Sequence, residues 1–217
     1  MITQAKKLEI ALKHGKKYAY KGIDHPILKG IRYHESGSIY ITDTHQLLRI
    51  RNAHNYEKPF TSDVKTGEVI PGEYPKIEQV FPKKFSNEIA LKKDQIQEAV
   101  TRAKLNFEIA KAADDGTDAN IKNKCRLILH NAVANLEIYN QNKKIDATIF
   151  FGNTIKPDNQ TRYFNAEFLY NAMQVFKDAG STELVLKITE NLGPFLMIDE
   201  ENEIDVLWLP IRIPEEA

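Results

Sequence analysis

The sequence has 217 residues, a formal net charge of zero, 42% hydrophobic residues and 28% charged residues, as an ordinary globular protein does. No apolar run reaches the roughly 18 residues of a membrane helix, and residues 1–7 lack the apolar stretch of a secretory signal. The single Cys125 excludes an internal disulfide framework and predicts a cytoplasmic protein. Residues 1–90 hold 15 basic and 10 acidic residues, a mild excess that would suit a nucleic-acid partner.

The first part of the sequence has the pattern of one helix followed by short strands. Residues 3–14 are predicted as a helix, with Thr3 as its N-cap and Gly15 as its end. The apolar positions that share one face of this helix are Ala5, Leu8, Ala11 and Leu12. The lysines on its flank are Lys6, Lys13, Lys16 and Lys17. Such a row contacts either solvent, which is the common case, or a polyanion.

The rest of the chain repeats the order of helix and strands. The predicted strands are 27–33, 39–43, 47–51, 69–70, 125–129, 134–138, 146–151, 183–188, 195–198 and 206–213. The other predicted elements are a turn at 60–63, about two helical turns at 74–82, a helix opened by a capping box at 94–97 and running to about Ala110, and a helix at 165–178 capped by Asn165. Matching strands recur at an offset of about 96 residues. We therefore predict an α+β fold of two tandem domains, 1–89 and 90–217, with helices on one face of antiparallel sheets and a shorter first copy.

The apolar segment near the end of the sequence, residues 205–213, contains a proline and an arginine. Because proline cannot donate a hydrogen bond to a ladder, Pro210 predicts an edge strand or a strand end. An edge strand would leave Trp208, Leu209 and Ile211 near the surface, as in the wall of a peptide-binding groove. The alternative is a last strand that simply closes a sheet.

Enzyme signatures are missing from the sequence. It contains no phosphate-binding glycine loop, no nucleophile elbow and no paired metal-binding histidines. Its six histidines are scattered without ligand spacing. We therefore expect neither a catalytic site nor a metal or other cofactor, and we predict that the protein is not an enzyme.

Four segments together resemble the bacterial DNA polymerase III beta subunit, the sliding clamp. They are ITDTHQL at 41–47, GEYPKIEQVFP at 72–82, FNAEFL at 164–169 and LWLPIRI at 207–213. Each is weak alone, but all four occur in the family's order. The resemblance covers only the family's middle and last domains, with the first domain missing and the middle one truncated. Thr44, Gln46 and Trp208 depart from the family's pattern.

The resemblance implies a processivity factor with a groove that binds short Gln- and Leu/Phe-containing motifs of DNA polymerases and repair proteins. The groove positions are Thr42, Thr44, His45, Gln46, Leu47, Pro75, Gln79, Val80, Phe168, Leu192, Pro194, Trp208, Leu209, Pro210, Ile211 and Arg212. Arg212 would lie near the groove floor or pair with an acidic neighbour.

The resemblance also implies sequence-independent contact with double-stranded DNA, through basic residues on the helices. The matching positions are Lys6, Lys13, Lys16, Lys17, Arg102 and Lys104. A ring of about six such domains would require a homotrimer of this chain. The alternative function is a clamp-like adaptor or competitor that keeps the groove, binds replication proteins and never encircles DNA.

Overall fold

The computed structural model describes residues 1–116, 122–157, 159–190 and 192–212. Its helices are α1 (Gln4–Tyr18), α2 (Lys93–Ala113) and α3 (Ala166–Ala179). Its strands are β1 (Gly30–Tyr33), β2 (Ile39–Thr42), β3 (Gln46–Ile50), β4 (Phe60–Asp63), β5 (Asn87–Lys92), β6 (Lys124–His130), β7 (Val133–Asn140), β8 (Ile145–Asn153), β9 (Gln160–Asn165), β10 (Glu183–Ile188), β11 (Phe195–Asp199) and β12 (Ile204–Trp208). Short 3-10 turns cover Pro26–Lys29 and Ile77–Val80. No helix in these described ranges is long and apolar enough to cross a membrane.

The strands form two antiparallel sheets. The larger has eight strands in the order β4-β1-β2-β3-β12-β11-β10-β5, and the smaller has four in the order β8-β7-β6-β9. Strands from both parts of the chain meet in the larger sheet, where β3 pairs with β12 and Leu47 lies opposite Leu207. The predicted α+β fold is therefore confirmed. The division into two domains at residue 89 stays a prediction. Strand β5 crosses that position and pairs with β10 of the second part of the chain.

Helix α1 begins as predicted but differs in length and in the face that it buries. The Thr3 hydroxyl accepts a hydrogen bond from the Lys6 N–H at 3.2 Å. Gly15 does not end the helix: a Cβ there would lie 3.4 Å from the Ile31 side chain, so this glycine permits close packing on the sheet. The buried face contains Lys7, Ile10, Ala11, His14, Gly15 and Tyr18. The predicted apolar face is therefore wrong at Ala5 and Leu12, which are exposed.

Two buried charged or polar side chains account for that error. The Lys7 ammonium donates to the Arg51 carbonyl at 2.9 Å and pairs with the Glu203 carboxylate. The His14 ring lies 2.7 Å from an Asp178 carboxylate oxygen of α3. These partners stabilise groups that a hydrophobicity pattern assigns to solvent, because a buried polar group costs little once it is paired.

The larger sheet carries a hydrophobic core on each face. Because side chains alternate along a strand, Leu48 of β3 joins the main core beneath the helices while Leu47 points to the opposite face. On that opposite face Leu47 packs with Leu207, Tyr74 and Ile77 in a smaller core. The segment between β4 and β5 therefore covers the outer face of the sheet.

Several predicted boundaries are corrected by pairing between distant segments. Residues 60–63 form β4 against β1 rather than a turn, and residues 69–70 form only a bridge from Val69 to Ser62. The segment 74–82 contains a single 3-10 turn rather than two helical turns. Helix α2 starts at Lys93, where the Gln95 side chain accepts from the Lys92 N–H at 2.9 Å. Strand β12 ends at Trp208, short of the predicted 206–213, whose last residue lies outside the described ranges.

Candidate peptide-binding groove and basic surface

The turn between β2 and β3 is held by its own side chains. The Thr42 hydroxyl donates to the Gln46 carbonyl at 2.7 Å and accepts from the Thr44 N–H at 3.1 Å. One Asp43 carboxylate oxygen accepts from the N–H groups of His45 and Gln46 at 2.9 and 2.8 Å. Thr44 has φ 80°, in the left-handed region that favours glycine. The turn therefore presents Thr44 and His45 to solvent in a defined geometry.

The tail after β12 connects this turn to the smaller sheet. The Leu209 N–H donates to the His45 carbonyl at 2.8 Å, which continues the β3–β12 ladder by one bond. The Ile211 N–H donates to the Tyr163 carbonyl of β9 at 2.8 Å. Leu209 is 39% exposed, and Pro210 and Ile211 are partly buried. Arg212 is exposed, and its place near a groove floor or beside an acidic neighbour stays a prediction.

Trp208 does not lie near the surface, contrary to the sequence prediction. It is 1% exposed and stacks on Phe195, with ring centroids 5.4 Å apart and planes at 15°. The physical reason is that β12 is not an edge strand but lies between β3 and β11. Trp208 therefore belongs to the main core beneath the sheet, together with Phe164.

The residue that shares the outer face with the turn is Leu207, which sequence reasoning missed. Leu207 lies opposite Leu47 and is 4% exposed in the outer core. Alternation along the tail places Leu209 on the same face as Leu207. Residues 206–209 are all apolar, so no alternation in the sequence separated Leu207 and Leu209 from Trp208.

The segment that covers the outer face supplies further exposed groups. Val80 is 47% exposed, and Pro75 and Gln79 are also exposed, whereas Ile77 is buried. Phe81 follows the 3-10 turn and lies beneath the Arg49 guanidinium, 3.7 Å from the ring centroid. The segment is thus anchored on the sheet by buried side chains while its other side stays open.

The remaining predicted groove positions divide between two places. Phe168 is partly buried and packs against the main core, on the helix side of the sheet. Leu192 is 54% exposed, and Pro194 is partly buried in the loop between β10 and β11. The structure therefore joins the turn and the tail directly, while Phe168 lies with the main core.

A buried arginine holds the loop between β10 and β11. Arg162 of β9 donates from its two terminal nitrogens to the carbonyls of Thr189 and Gly193, at 2.5 Å each. Its guanidinium lies 5.2 Å from the Phe195 ring centroid, and burial lowers its pKa. The Thr189 hydroxyl donates to the Pro194 carbonyl at 2.9 Å. No sequence signal connected this arginine to a loop about 30 residues further along.

The predicted DNA-contacting residues of α1 are partly neutralised. Lys6 pairs with Glu9 at 2.9 Å, and Lys13 pairs with Asp178 of α3 at 2.8 Å. Lys17 lies 5.7 Å from the Tyr170 ring centroid, and Lys16 is exposed. The lysine row therefore carries less unbalanced charge than its sequence indicates.

The basic residues predicted on α2 are also partly neutralised. Arg102 pairs with Glu98 at 2.6 Å, and its guanidinium lies 5.1 Å from the Phe150 ring centroid. Lys104 is exposed. Of these two predicted residues, Lys104 is thus exposed and Arg102 is already paired.

Comparisons with known proteins agree with the geometry. No protein-family model and no curated protein sequence matches the chain. Among solved structures, the DNA polymerase III beta chain of Streptococcus pneumoniae matches with TM-score 0.74 and 15% identity, over 98% of this chain and 64% of that one. The DNA polymerase sliding clamp of Bacillus subtilis matches with TM-score 0.73 and 15% identity, over 96% and 62%. The beta subunit of Streptococcus pyogenes matches with TM-score 0.74 and 16% identity, over 96% and 64%.

These matches extend over nearly all of this chain but less than two thirds of each solved structure. At this level of identity they show the fold and leave the activity open. The predicted resemblance is confirmed at that level: the chain has a partial DNA polymerase III beta sliding-clamp fold.

Proposed function

We propose that the chain is a clamp-like protein that binds short peptide motifs of replication proteins and associates with DNA without reading its sequence. The observation that carries this proposal is the backbone hydrogen bond from Leu209 to His45, which joins the tail to the 42–47 turn and leaves the Leu209 side chain exposed beside it. Exposed apolar side chains border a rigid polar turn there, which is the arrangement that peptide grooves use.

Within this groove Leu209 is the main apolar anchor. It is partly exposed, its backbone is fixed by the His45 carbonyl, and Leu207 beside it is buried in the outer core. Val80, which is 47% exposed on the segment that covers the outer face, would provide a second apolar side. A leucine or phenylalanine of a peptide would be desolvated between them, while the hydroxyl of Thr44 and the ring of His45 would orient its polar part.

The test is a titration of a fluorescent peptide that contains a glutamine followed by a Leu-Phe pair. Leu209→Ala should weaken binding at least tenfold, because truncating a central apolar anchor commonly costs more than about 1.4 kcal/mol. The matched control is Leu12→Ala, which removes a leucine that is 56% exposed on α1. Equal affinity of the wild type and Leu209→Ala would reject the groove assignment.

A second function, an adaptor that never encircles DNA, is favoured by the ion pairs that neutralise Lys6 and Lys13. The two functions differ in assembly. A ring built from this chain would be a trimer of about 75 kDa, three times the 24.9 kDa of the chain. Light scattering over a concentration series measures this mass. A persistent monomer would reject the autonomous ring and leave the adaptor.

A further inference from the structure

Lysines that form no ion pair in the described ranges surround a surface pocket at the C-terminal end of α1. These pocket lysines are Lys16, Lys21, Lys29 and Lys65. They come from the last turn of α1, the connection after it, the end of a 3-10 turn and the turn after β4. They are separated in sequence by as many as 49 positions, from 16 to 65, and the fold brings them to one place.

The segments that carry these lysines are joined by backbone hydrogen bonds. The Val64 N–H donates to the Lys29 carbonyl at 3.2 Å, and the Tyr20 N–H donates to the Leu28 carbonyl at 2.9 Å. The turn after β4 is closed by Asp63, whose carboxylate accepts from the Lys65 N–H at 2.7 Å. The backbone segments that carry the pocket lysines are therefore held together by hydrogen bonds and are not independent loops.

The charge at this pocket is poorly balanced. Asp63 is the acidic residue among those that line it, so four lysines face one carboxylate. That carboxylate is occupied by backbone N–H groups of the turn, which are also the main reason that its pKa is lowered. By contrast, Lys6 and Lys13 each have a carboxylate within 2.9 Å. The unbalanced positive charge of this region thus lies at the end of α1 rather than along it.

We propose that the pocket lysines bind backbone phosphates of double-stranded DNA and form the principal DNA contact of this chain. Lysine ammonium groups bind phosphate as point charges, without the planar geometry that arginine imposes. Duplex DNA carries a charge about every 1.7 Å of its axis, which is dense enough to engage several lysines of one cluster. This proposal rests on the DNA association in the proposed function, and it moves the contact from the helix row to the pocket.

Three variants with equal loss of charge separate these two locations. The pocket variant is Lys21→Gln, Lys29→Gln and Lys65→Gln. The row variant is Lys6→Gln, Lys13→Gln and Lys17→Gln. The control variant is Lys83→Gln, Lys84→Gln and Lys122→Gln, which removes exposed lysines elsewhere.

Binding to a labelled 30-base-pair duplex of arbitrary sequence is followed by anisotropy at several salt concentrations. The pocket variant should bind at least tenfold more weakly than the wild type at low salt. Its slope of log affinity against log salt should be shallower by about 2 to 3, since each lost phosphate contact contributes about 0.9. The row and control variants should stay within about threefold of the wild type. Thermal melting verifies that each variant is folded. The single Lys21→Gln, at an exposed position, should make the slope shallower by about 0.9.

Two results would overturn the proposal, and they differ in what else they reject. If the row variant loses binding and the pocket variant retains it, DNA association stands and the pocket is not its site. If the wild type does not bind the duplex, DNA association fails together with the pocket proposal. In that second case, capture of polyglutamate by the wild type but not by the pocket variant would identify an acidic protein partner instead.

Discussion

Trp208→Ala is expected to lower the free energy of unfolding by about 3 to 5 kcal/mol, the usual cost of deleting a fully buried large aromatic side chain. Trp208 is 1% exposed and stacks on Phe195 in the main core. Urea denaturation followed by circular dichroism measures the loss, which should also lower the melting temperature by roughly 10 °C.

The matched control for this variant is Trp208→Phe. The indole Nε1 has no hydrogen-bond partner in the described part of the chain, so phenylalanine removes an unsatisfied donor while leaving part of the ring stack. We expect it to cost less than half as much as alanine. A Trp208→Ala variant that keeps wild-type stability but loses peptide binding would mean that this side chain lines the groove after all.

Asp205→Ala is the second change with a large expected effect, a loss of about 3 kcal/mol. Asp205 is 1% exposed on β12 and pairs with Arg49 of β3 at 2.7 Å and with Arg51 at 3.3 Å. Removing the carboxylate leaves two arginines without their shared partner, at the junction of β3 and β12. Equilibrium unfolding in urea at pH 7 measures this loss.

Asp205→Asn separates the charge of this residue from its shape. Burial raises the pKa of Asp205 despite the two arginines, so the protonated form is the one favoured by folding. The raised pKa therefore stabilises the folded protein fully below the pKa of the unfolded chain, and this stabilisation declines as pH rises through the pKa of the folded state. We expect Asp205→Asn to cost only about 1 kcal/mol at pH 7, because its amide oxygen still accepts from Arg49. A loss as large as that of Asp205→Ala would show that the negative charge itself is needed.

Elements with local signals could be predicted from the sequence. Helix α3 starts where Asn165 predicts it, since the Asn165 side chain accepts from the Glu167 N–H at 2.9 Å. Strand β10 has the predicted bounds, and burial alternates along it, with Leu184, Leu186 and Ile188 buried. Strand β4 could not be predicted, since its pairing partner β1 lies about 30 residues earlier and the segment has no apolar run.

The site was predictable only where its members are close in sequence. The 42–47 turn and the tail are each a single continuous segment of the sequence, and the clamp resemblance indicated both. The orientation of Trp208 was not predictable, because all five residues of β12 are buried and alternation gives no inside or outside. The Arg162 contacts and the pocket lysines join distant segments through the fold, so no local pattern indicated them.

Hydrogen–deuterium exchange of the 217-residue chain, with and without the Gln- and Leu-Phe-containing peptide, locates the bound peptide directly. We expect slower exchange at residues 42–47, 75–80 and 207–212, and unchanged exchange along α2. Leu209→Ala should remove the protection at the same peptide concentration. Protection confined to other segments, or no protection at a peptide concentration that saturates binding, would contradict a groove on the outer face of the larger sheet.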